Sequence, residues 1–431
     1  MAVSPHTMRI ELPGSTAGLR ERQWEKLKRL LIKVGTTENF NSQRLQQHGV
    51  DPYSITSLDD FIRRVPFTTK ADLLQDRLLY PPFGSNFTEP VERYTRFCQT
   101  SGTLTGAPMA VLDTPASWEA MLSCWRQVYR AAGVHAGDRV FFAFSFGPFL
   151  GFWTAFEAAA RDCLVIPGGG QSTNARLEMM ARYKATVLCC TPTYALRLGE
   201  NIGAPSGVHL DQLNVRRIIV AGEPGGSIPV VRDRLNELWG GVKIFDHHGL
   251  SEIGPVSYED QNQPSSLCVI EDSYFAEVLD PNTGEPVQEG EEGELVLTTL
   301  DRTACPLIRY CTGDWVSPHH VDDKLYLEGG VLGRVDDMAV IRGVNIYPSA
   351  LENVIRRFPE IAEFQVEQRK VEAMDEIELI VELAPGSDDA VVHKLQERLR
   401  DTFTLRIPVR LAAQGSLPRF DFKSRRWRRV Q

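Results

Sequence analysis

The sequence predicts an α/β protein: a large N-terminal domain with mostly parallel sheets and a small β unit, followed by a small α+β unit. Two observations carry this prediction. Between residue 96 and about residue 255, short apolar runs alternate with segments of helical spacing, which is typical of a largely parallel sheet. After residue 255, turn signals such as Asp280-Pro281-Asn282-Thr283-Gly284 separate the apolar runs, which favours antiparallel pairing.

The first 70 residues are predicted to be helical. Apolar residues recur there at helical spacing, with charged residues between them: Trp24, Leu27, Leu30, Leu31 and Val34. Pro66 interrupts the chain, and Thr69 is a candidate cap for a helix that begins after it.

Four apolar runs in the α/β region are predicted strands. They span residues 138–144, 185–191, 215–222 and 242–249, and each is expected to be followed by a helix, the first of which covers residues 152–161. Because ligands of parallel sheets bind at the carboxyl ends of the strands, functional residues are expected in the loops after these runs.

The remaining elements follow residue 255. Strands of the β unit are predicted at residues 274–280, 293–300 and 324–329. The C-terminal unit begins at about residue 338. Its predicted elements are a helix from Ser349, a strand at 374–384, a helix at 388–400 and a strand at 409–413.

The composition excludes several classes of protein. The 431 residues include 47 Lys and Arg against 56 Asp and Glu, a formal net charge of −9. Nucleic-acid binders usually carry a basic footprint, so a nucleic-acid partner is not expected. A hydrophobic fraction of 42% allows a sizeable core and excludes wholesale disorder. The basic cluster at residues 423–429 is interpreted, for most of its residues, as a solvated tail.

No membrane or secretory segment is expected. The longest apolar stretch, residues 141–153, is shorter than the ~20 residues that a bilayer requires, and glycine and proline interrupt it. The N-terminus lacks a basic segment followed by an apolar one. The eight cysteines include no CxxC pair, so a reduced, cytoplasmic setting is expected.

Common catalytic fingerprints are missing from the sequence. It has no GxxxxGK[ST] loop, no GxGxxG and no HExxH. Residues 249–254 are one residue too long for the GxSxG nucleophile elbow, so Ser251 is not expected to be a hydrolase nucleophile. Residues 100–108 are rich in glycines and hydroxyls, which suits phosphate oxygens, although an ordinary turn can have the same composition.

Five motifs occur in a fixed order along the chain. They are TSGTLTGAP (100–108), HHGLSE (247–252), YCTGD (310–314), LGRVDDMAVIRGVNIYPSALE (332–352) and GSLPRFDFK (415–423). Their order, spacing and content resemble the adenylate-forming superfamily of acyl-CoA synthetases, and the likeness is strongest to the phenylacetate–CoA ligase family. VPFTTKADL (65–73), CTPTYAL (190–196) and AGEP (221–224) strengthen the narrower match, and the resemblance covers about residues 20 to 427.

The resemblance implies a two-domain enzyme. A large domain, residues 1–333, would bind ATP and the acid, and a small mobile domain, residues 334–431, would swing about a hinge at Asp336. The implied enzyme is an ATP-dependent carboxylate–CoA ligase with Mg²⁺ as its metal. It would convert a small-molecule carboxylic acid and ATP into an acyl-adenylate and pyrophosphate, and then pass the acyl group to the thiol of coenzyme A.

The resemblance also assigns residues that surround the nucleotide. The loop that would wrap the ATP phosphates contributes Thr100, Ser101, Gly102, Thr103, Thr105 and Gly106. The segment that would contact adenine consists of Gly222, Glu223 and Pro224. His248, which precedes Gly249, stands where the family usually has a tyrosine close to the nucleotide.

Five further residues receive chemical roles from the same resemblance. Ser251 would touch the α-phosphate and Glu252 would hold Mg²⁺, while Asp314, with Arg334 nearby, would accept hydrogen bonds from the ribose hydroxyls. Lys423 would reach the acyl phosphate. These residue types suit the chemistry, because attack of a carboxylate on the α-phosphorus builds negative charge that cations and a metal stabilise, and because a carboxylate can accept both ribose hydroxyl protons.

Three of these residues have an alternative, purely structural interpretation. Glu252 could be a charge at a helix N-terminus, Asp314 could cap a turn, and Lys423 could be one more cation of the tail. The sequence also departs from the family. The phosphate loop has one extra residue near Leu104, and Cys311 stands where an arginine is usual.

The acid pocket is predicted in the aromatic segment 142–153. Phe146 aligns with an aromatic pocket residue of the family, Phe149 and Trp153 add bulk, and Gly169 lies in a glycine run that would allow close approach of a ligand. A small aromatic or short branched acid is favoured. The alternative is that the segment is part of the core.

Three questions stay open at this point. The enzyme could instead load a carrier protein, or the chain could be a weakly active nucleotide-binding paralogue that acts through a partner, and a homodimer is compatible with either. Cys268, Cys305, Cys311 and His247 match no regular zinc spacing, so no zinc site is expected.

Overall fold

The computed structural model describes residues 18–100, 108–335, 339–341, 344–371, 374–420 and 426–430. The α-helices in these ranges are α1 (Leu19–Gly35), α2 (Phe40–Gln47), α3 (Leu58–Arg64), α4 (Lys70–Leu79), α5 (Pro115–Ala131), α6 (Leu150–Ala159), α7 (Thr173–Tyr183), α8 (Pro192–Glu200), α9 (Pro229–Leu238), α10 (Pro348–Ile355) and α11 (Ala390–Phe403). No helix in the described ranges is long and apolar enough to cross a membrane.

The strands begin with β1 (Arg96–Gln99), β2 (Ala110–Asp113), β3 (Arg139–Phe142), β4 (Leu164–Pro167), β5 (Val187–Cys190), β6 (Arg217–Ala221), β7 (Lys243–Leu250), β8 (Gly254–Asp260), β9 (Gln263–Val269), β10 (Tyr274–Leu279) and β11 (Gly293–Thr299). They continue with β12 (Tyr310–Val316), β13 (Pro318–Val321), β14 (Lys324–Glu328), β15 (Gly333–Arg334), β16 (Ala339–Ile341), β17 (Val344–Ile346), β18 (Ile361–Val371), β19 (Met374–Leu383), β20 (Val409–Leu411) and β21 (Trp427–Arg429).

Local capping sets where several helices begin. Thr69 Oγ1 accepts a hydrogen bond from the Asp72 N–H at 3.2 Å, and the Asp72 carboxylate accepts one from the Thr69 N–H at 2.8 Å. The predicted cap at Thr69 is therefore confirmed. Helices α5 and α8 each begin with a proline that follows a capping threonine, Thr114 and Thr191 respectively.

The largest sheet has nine strands in the order β13-β14-β9-β8-β7-β6-β5-β3-β4. Neighbours from β7 to β4 are parallel, and neighbours from β7 to β13 are antiparallel. The four predicted runs of the α/β region are β3, β5, β6 and β7. The prediction that a helix follows each of them is wrong for β7, which reverses at residues 251–253 directly into β8. Gly249 permits this reversal, because a Cβ there would lie 2.7 Å from the Gly254 carbonyl oxygen.

A second prediction is wrong for the run at residues 324–329. This run is β14, and it belongs to the nine-stranded sheet and not to the small β unit, because it pairs with β9 through Tyr326–Cys268 and Leu327–Leu267. The small unit is the antiparallel sheet β10-β11-β12-β15. Its first two strands match the predicted runs at 274–280 and 293–300.

Helices cover both faces of the parallel strands. Side chains that alternate along the strands enter two separate clusters: Phe142, Cys189, Ile219 and Phe245 pack toward α5 and α6, and Phe141, Leu188, Ile218 and Ile244 pack toward α7, α8 and α9. The N-terminal helices α1 and α3 form a further cluster with residues of the small sheet and the loop after it. The protein is therefore a mixed α/β fold, as predicted.

The C-terminal unit has its own core. Helices α10 and α11 pack on the sheet β20-β19-β18-β21, and the unit contacts the rest of the chain where the Tyr347 ring stacks on Trp315 at 6.2 Å between centroids. The interpretation of the basic cluster as a solvated tail is wrong for Arg426, which is buried and paired with Glu363 at 2.7 Å. Arg428 and Arg429, in contrast, are exposed.

Candidate active site

A cavity of about 270 Å³ lies at the carboxyl ends of β6 and β7. Its walls come from the loop after β6, from the end of β7, from the start of α6 and from β12 and β15. This is where an α/β sheet with a change in strand direction places ligands. The lining residues divide into two groups, which we call the polar side (Glu223, Asp246, His248, Glu252 and Asp314) and the aromatic side (Trp125, Phe144, Phe149, Phe152, Thr154 and His247).

Asp314 is held between two other side chains on the polar side. Its Oδ2 lies 2.9 Å from His248 Nε2, and its Oδ1 accepts a hydrogen bond from the Arg334 guanidinium at 2.7 Å. Only 3% of Asp314 is exposed. Asp314 therefore lies within strand β12 with its carboxylate oriented by partners on β7 and β15, and the alternative that it caps a turn is wrong.

Glu252 lies in the turn between β7 and β8, so the alternative that it is a charge at a helix N-terminus is wrong as well. Its Oε1 accepts a hydrogen bond from the Tyr310 hydroxyl at 2.9 Å and lies 3.8 Å from Lys70 Nζ. Burial raises the pKa of Tyr310 well above its ordinary value, so this phenol remains a donor. Among the described residues, no group hydrogen bonds to Oε2 of Glu252. One carboxylate oxygen at the cavity is therefore available to a ligand.

A buried ion pair supports the turn that carries Ser251 and Glu252. The Arg302 guanidinium donates to the Asp113 carboxylate at 2.8 and 2.6 Å, and to the carbonyl oxygens of Ser251 and Glu252 at 3.3 and 2.7 Å. Both members of the pair are buried. Ser251 itself lines the cavity.

Residues 222–224, which follow β6, line the cavity, and their backbone begins with a positive φ. Gly222 has φ 96, which few side chains tolerate, and the chain turns there into Glu223 and Pro224. Glu223 Oε1 accepts a hydrogen bond from the Thr193 N–H at 2.9 Å, in the first turn of α8. Its negative charge therefore lies at the positive end of that helix.

Two buried residues that precede the HGLSE segment also line the cavity. Asp246 accepts hydrogen bonds from Ser227 Oγ at 2.6 Å and from the His247 N–H at 2.9 Å, and burial raises its pKa to about 6. The His247 ring lies 4.3 Å from the ring of Trp125, and burial lowers its pKa to about 3. Neither residue was predicted from the sequence to bind a ligand.

Of the residues predicted to form the phosphate loop, the structure describes only Thr100, at the start of the loop. Thr100 lines the cavity, and its N–H and Oγ1 bond to the main chain of Met109 at 3.0 and 2.9 Å, so the two ends of the loop meet beside the cavity. Seven of the predicted site residues lie outside the described residues: Ser101, Gly102, Thr103, Thr105, Gly106, Asp336 and Lys423. Their roles stay predictions.

Of the four residues named for the predicted acid pocket, Phe149 lines the cavity. Phe146 packs against Trp153 and Phe156, in each case with 5.3 Å between ring centroids, and a Cβ on Gly169 would lie 3.1 Å from the Phe146 ring. Phe146 and Gly169 therefore contact each other but do not belong to the cavity wall, and their role in acid binding stays a prediction.

Several residues of the cavity wall were not predicted from the sequence. Lys70 belongs to the VPFTTKADL motif, and its position directly after the Thr69 cap was a signal that could have drawn attention to it. Trp125, Phe144 and Phe152 come from α5, the end of β3 and α6, where their pattern is that of ordinary core residues.

Comparisons with known proteins agree with this geometry. The AMP-binding enzyme family matches residues 71–300, and its C-terminal domain family matches residues 343–428. A phenylacetate–coenzyme A ligase of Thermus thermophilus is 34% identical over 93% of this chain and 94% of its own length. The enzyme of the same name from Escherichia coli is 30% identical, with 95% and 94% covered.

Solved structures add a comparison of domain arrangement. A 2-hydroxyisobutyryl-CoA ligase in the postadenylation state, in complex with 2-HIB-AMP, is 26% identical and superposes with a TM-score of 0.90, covering 97% of this chain and 91% of that one. The same ligase with 2-HIB-AMP and CoA in the thioesterification state is 27% identical and has a TM-score of 0.71, with 97% and 90% covered. Because identity and coverage barely change, the parts of this chain are arranged more like the postadenylation state.

Proposed function

Because the chain belongs to the AMP-binding enzyme family and is a homologue of phenylacetate–coenzyme A ligases, we propose that its cavity activates a small aromatic or short branched carboxylic acid. The enzyme class itself is established by the comparisons: the chain is an ATP-dependent, AMP-forming acid–CoA ligase that works through an acyl-adenylate. The observation that carries the proposal is that one cavity has a polar side suited to a nucleotide and an aromatic side suited to the acid.

The reaction consists of two displacements. In the first, a carboxylate oxygen of the acid bonds to the α-phosphorus of ATP, the bond from that phosphorus to the bridging oxygen breaks, and pyrophosphate leaves. In the second, the sulfur of CoA bonds to the acyl carbon, the acyl carbon–oxygen bond breaks, AMP leaves and the thiol proton is released. Both require stabilisation of negative charge that develops on phosphate oxygens.

On the polar side, Asp314 is the proposed acceptor for the ribose hydroxyls. Its carboxylate is buried and oriented by His248 and Arg334, so it loses little conformational entropy when a ribose binds. Gly222, Glu223 and Pro224 border the same side and are proposed to contact the adenine. His248 stands where the family usually has a tyrosine, and its proposed role is to orient the Asp314 carboxylate that binds the ribose.

Glu252 is the proposed ligand of Mg²⁺. Magnesium in nucleotide sites is bound by one or two carboxylates together with phosphates and water, and Glu252 has one oxygen at the cavity to which no described residue hydrogen bonds. When bound there, Mg²⁺ neutralises charge on the phosphates. Lys70 Nζ, 3.8 Å from the other oxygen, holds a positive charge next to the same position.

On the aromatic side, the wall proposed to contact the acid consists mainly of aromatic rings, which suits a small aromatic or short branched acid. The rings of Phe144 and Phe152 stack with 4.2 Å between their centroids, and the Phe149 ring packs edge-on against Phe152 with 5.6 Å between centroids. This part of the wall is therefore flat and rigid.

The domain movement is also part of the proposal. Residues 1–333 would form the large domain and residues 334–431 the mobile one, with the hinge at Asp336 and Lys423 delivered to the acyl phosphate during adenylation. The separate hydrophobic core of the C-terminal unit supports its movement as a domain of its own.

An exchange experiment tests the proposal. Purified protein is incubated with ATP, Mg²⁺, labelled pyrophosphate and single acids from a panel of aryl, short branched and long-chain acids. Acid-dependent exchange into ATP with the small acids, and AMP release that requires CoA, are the expected results. Exchange only with long-chain acids would contradict the proposed substrate class. Absence of exchange with every acid would favour the weakly active nucleotide-binding paralogue.

A further inference from the structure

His247 presents an unused hydrogen-bond acceptor to the aromatic side of the cavity. Its Nδ1 lies 2.8 Å from the carbonyl oxygen of Ser257. A carbonyl can only accept, so Nδ1 must carry the ring proton. Because burial lowers the pKa of His247 to about 3, the ring holds only this one proton at neutral pH, and Nε2 is a bare lone pair.

No group in the described part of the chain bonds to Nε2, although His247 is only 4% exposed and lines the cavity. The two donors on this side of the cavity, Trp125 and Thr154, are committed elsewhere. The Trp125 indole N–H donates to Thr154 Oγ1 at 3.0 Å, and the Thr154 hydroxyl donates to the Leu150 carbonyl at 2.9 Å. The rest of this wall is phenylalanine, which has no donor.

The position of His247 in the sheet separates it from the polar side. Neighbouring residues of a strand point to opposite faces, and Phe245 packs toward α5 and α6 whereas Ile244 packs toward α9. His247 therefore faces α5, as its contact with Trp125 shows, while Asp246 faces Ser227 on the other side. A ligand group that reaches Nε2 belongs to the acid and not to the nucleotide.

We propose that the acid taken by this cavity carries a hydroxyl group whose proton is donated to His247 Nε2. This inference rests on the proposed function, since it assigns the substrate class of the same site. A buried acceptor that loses water without gaining a donor is costly, and a site built to bond a substrate hydroxyl discriminates strongly against the analogue that lacks it. His247 is thus a specificity-determining residue for hydroxy-substituted small acids.

The test compares matched acids in pyrophosphate exchange. The pairs are 2-hydroxy-2-methylpropanoate with 2,2-dimethylpropanoate, mandelate with phenylacetate, and 4-hydroxyphenylacetate with phenylacetate. The first two place the hydroxyl next to the carboxylate, and the third places it on the ring. We expect one hydroxy acid to exceed its partner in kcat/KM on the order of 10- to 100-fold. Equal or lower values for the hydroxy acid in all three pairs would overturn the inference.

Variants then connect the preference to His247. His247→Leu should reduce the ratio of the preferred pair to about 1 or below, and Trp125→Phe, which alters the same wall but leaves Nε2 in place, should keep it. If His247→Leu does not fold, His247→Asn serves, because its amide N–H can still donate to Ser257 while its side chain ends short of the Nε2 position. A preference that persists in the folded His247 variant would refute the role of this residue.

The outcomes separate this inference from the proposed function. Exchange that is faster with the acids lacking a hydroxyl leaves the ligase function intact and contradicts only the hydroxyl preference. Absence of exchange with every acid contradicts the function and the inference together.

Discussion

The polar and aromatic sides of the cavity lie on the same strand ends, but their polar groups are held in different ways. On the polar side, Asp314 is fixed by His248 and Arg334, and Glu252 is fixed by Tyr310. On the aromatic side, His247 Nε2 is the acceptor that the described residues leave without a partner. The nucleotide is therefore expected to meet carboxylates that other side chains orient, whereas the acid meets an acceptor, His247 Nε2, to which no described residue hydrogen bonds.

The largest effect is expected at Lys423, which the sequence places in the terminal GSLPRFDFK motif. Lys423→Ala should lower the rate of adenylate formation on the order of 100-fold or more, because a positioned charge is removed from a phosphoryl-transfer transition state. Thioester formation from supplied acyl-AMP should be retained. The two half-reactions are measured separately, and adenylation at a near wild-type rate would show that Lys423 is only a tail cation.

The next largest effect is expected at Asp314, on the polar side of the cavity. Asp314→Ala should raise the KM for ATP by about 10- to 100-fold, since a charge-assisted contact to the ribose is lost, while the KM for the acid changes little. Steady-state kinetics with each substrate varied in turn checks this. An unchanged KM for ATP would mean that the carboxylate only orients His248 and Arg334 within the protein.

The pH dependence of stability tests the buried state of His247. The pKa of His247 is lowered to about 3 in the folded chain, whereas in the unfolded chain it is about 6.5. Between these two pH values only the unfolded chain takes up a proton, so stability is lost as the pH falls from about 6.5 toward about 3. Between pH 7 and pH 5, the unfolding free energy of the wild type should fall by about 2 kcal/mol more than that of His247→Leu.

Denaturant titrations of both chains at the two pH values measure this difference. The raised pKa of Asp246 makes its own contribution to stability increase as the pH falls. Because Asp246 is present in both chains, this contribution cancels in the difference between them. Parallel pH profiles for the two chains would mean that the pKa of His247 is not lowered in the folded chain, which would contradict its burial as a neutral ring.

The smallest effect is expected on the aromatic side. Phe149→Ala should raise the KM for the acid by about 5- to 10-fold and leave the KM for ATP within twofold, because Phe149 lines the cavity among the aromatic residues proposed to contact the acid. Phe146→Ala is the matched control, since Phe146 packs behind the wall. A larger change in the KM for the acid with Phe146→Ala than with Phe149→Ala would support the prediction that Phe146 contacts the acid.

The sequence could predict the polar side because its residues lie in short motifs at strand ends. Residues 222–224 and 248–252 are distant in sequence, but parallel strands end at one edge of a sheet, so the two segments have to meet. Asp246 was not predicted, because a single carboxylate inside a strand gives no sign of whether it faces a cavity.

The aromatic side could not be predicted in the same way. Trp125 and Phe152 come from two helices whose apolar spacing is that of the core, and only the packing of α5 against α6 brings both to the cavity. Within residues 142–153 the sequence cannot decide which aromatic ring faces inward: Phe149 does, and Phe146, with φ 54, turns toward Trp153.

The position of β14 illustrates a similar limit for the fold. Its alternating pattern predicts a strand, but its partner is β9, which follows the direct reversal of β7 into β8. That reversal depends on the close approach of Gly249 to the Gly254 carbonyl, a three-dimensional contact with only two glycines as its sequence signal.

The most direct test of the account is the product balance of a single reaction with ATP, Mg²⁺, CoA and the best acid of the panel. AMP, pyrophosphate and acyl-CoA are quantified together after partial turnover. If acyl-CoA forms through an acyl-adenylate, AMP, pyrophosphate and acyl-CoA should appear in equal amounts. The formation of AMP should also depend on the acid. Formation of ADP and phosphate in place of AMP and pyrophosphate, or nucleotide cleavage that does not depend on the acid, would contradict the account.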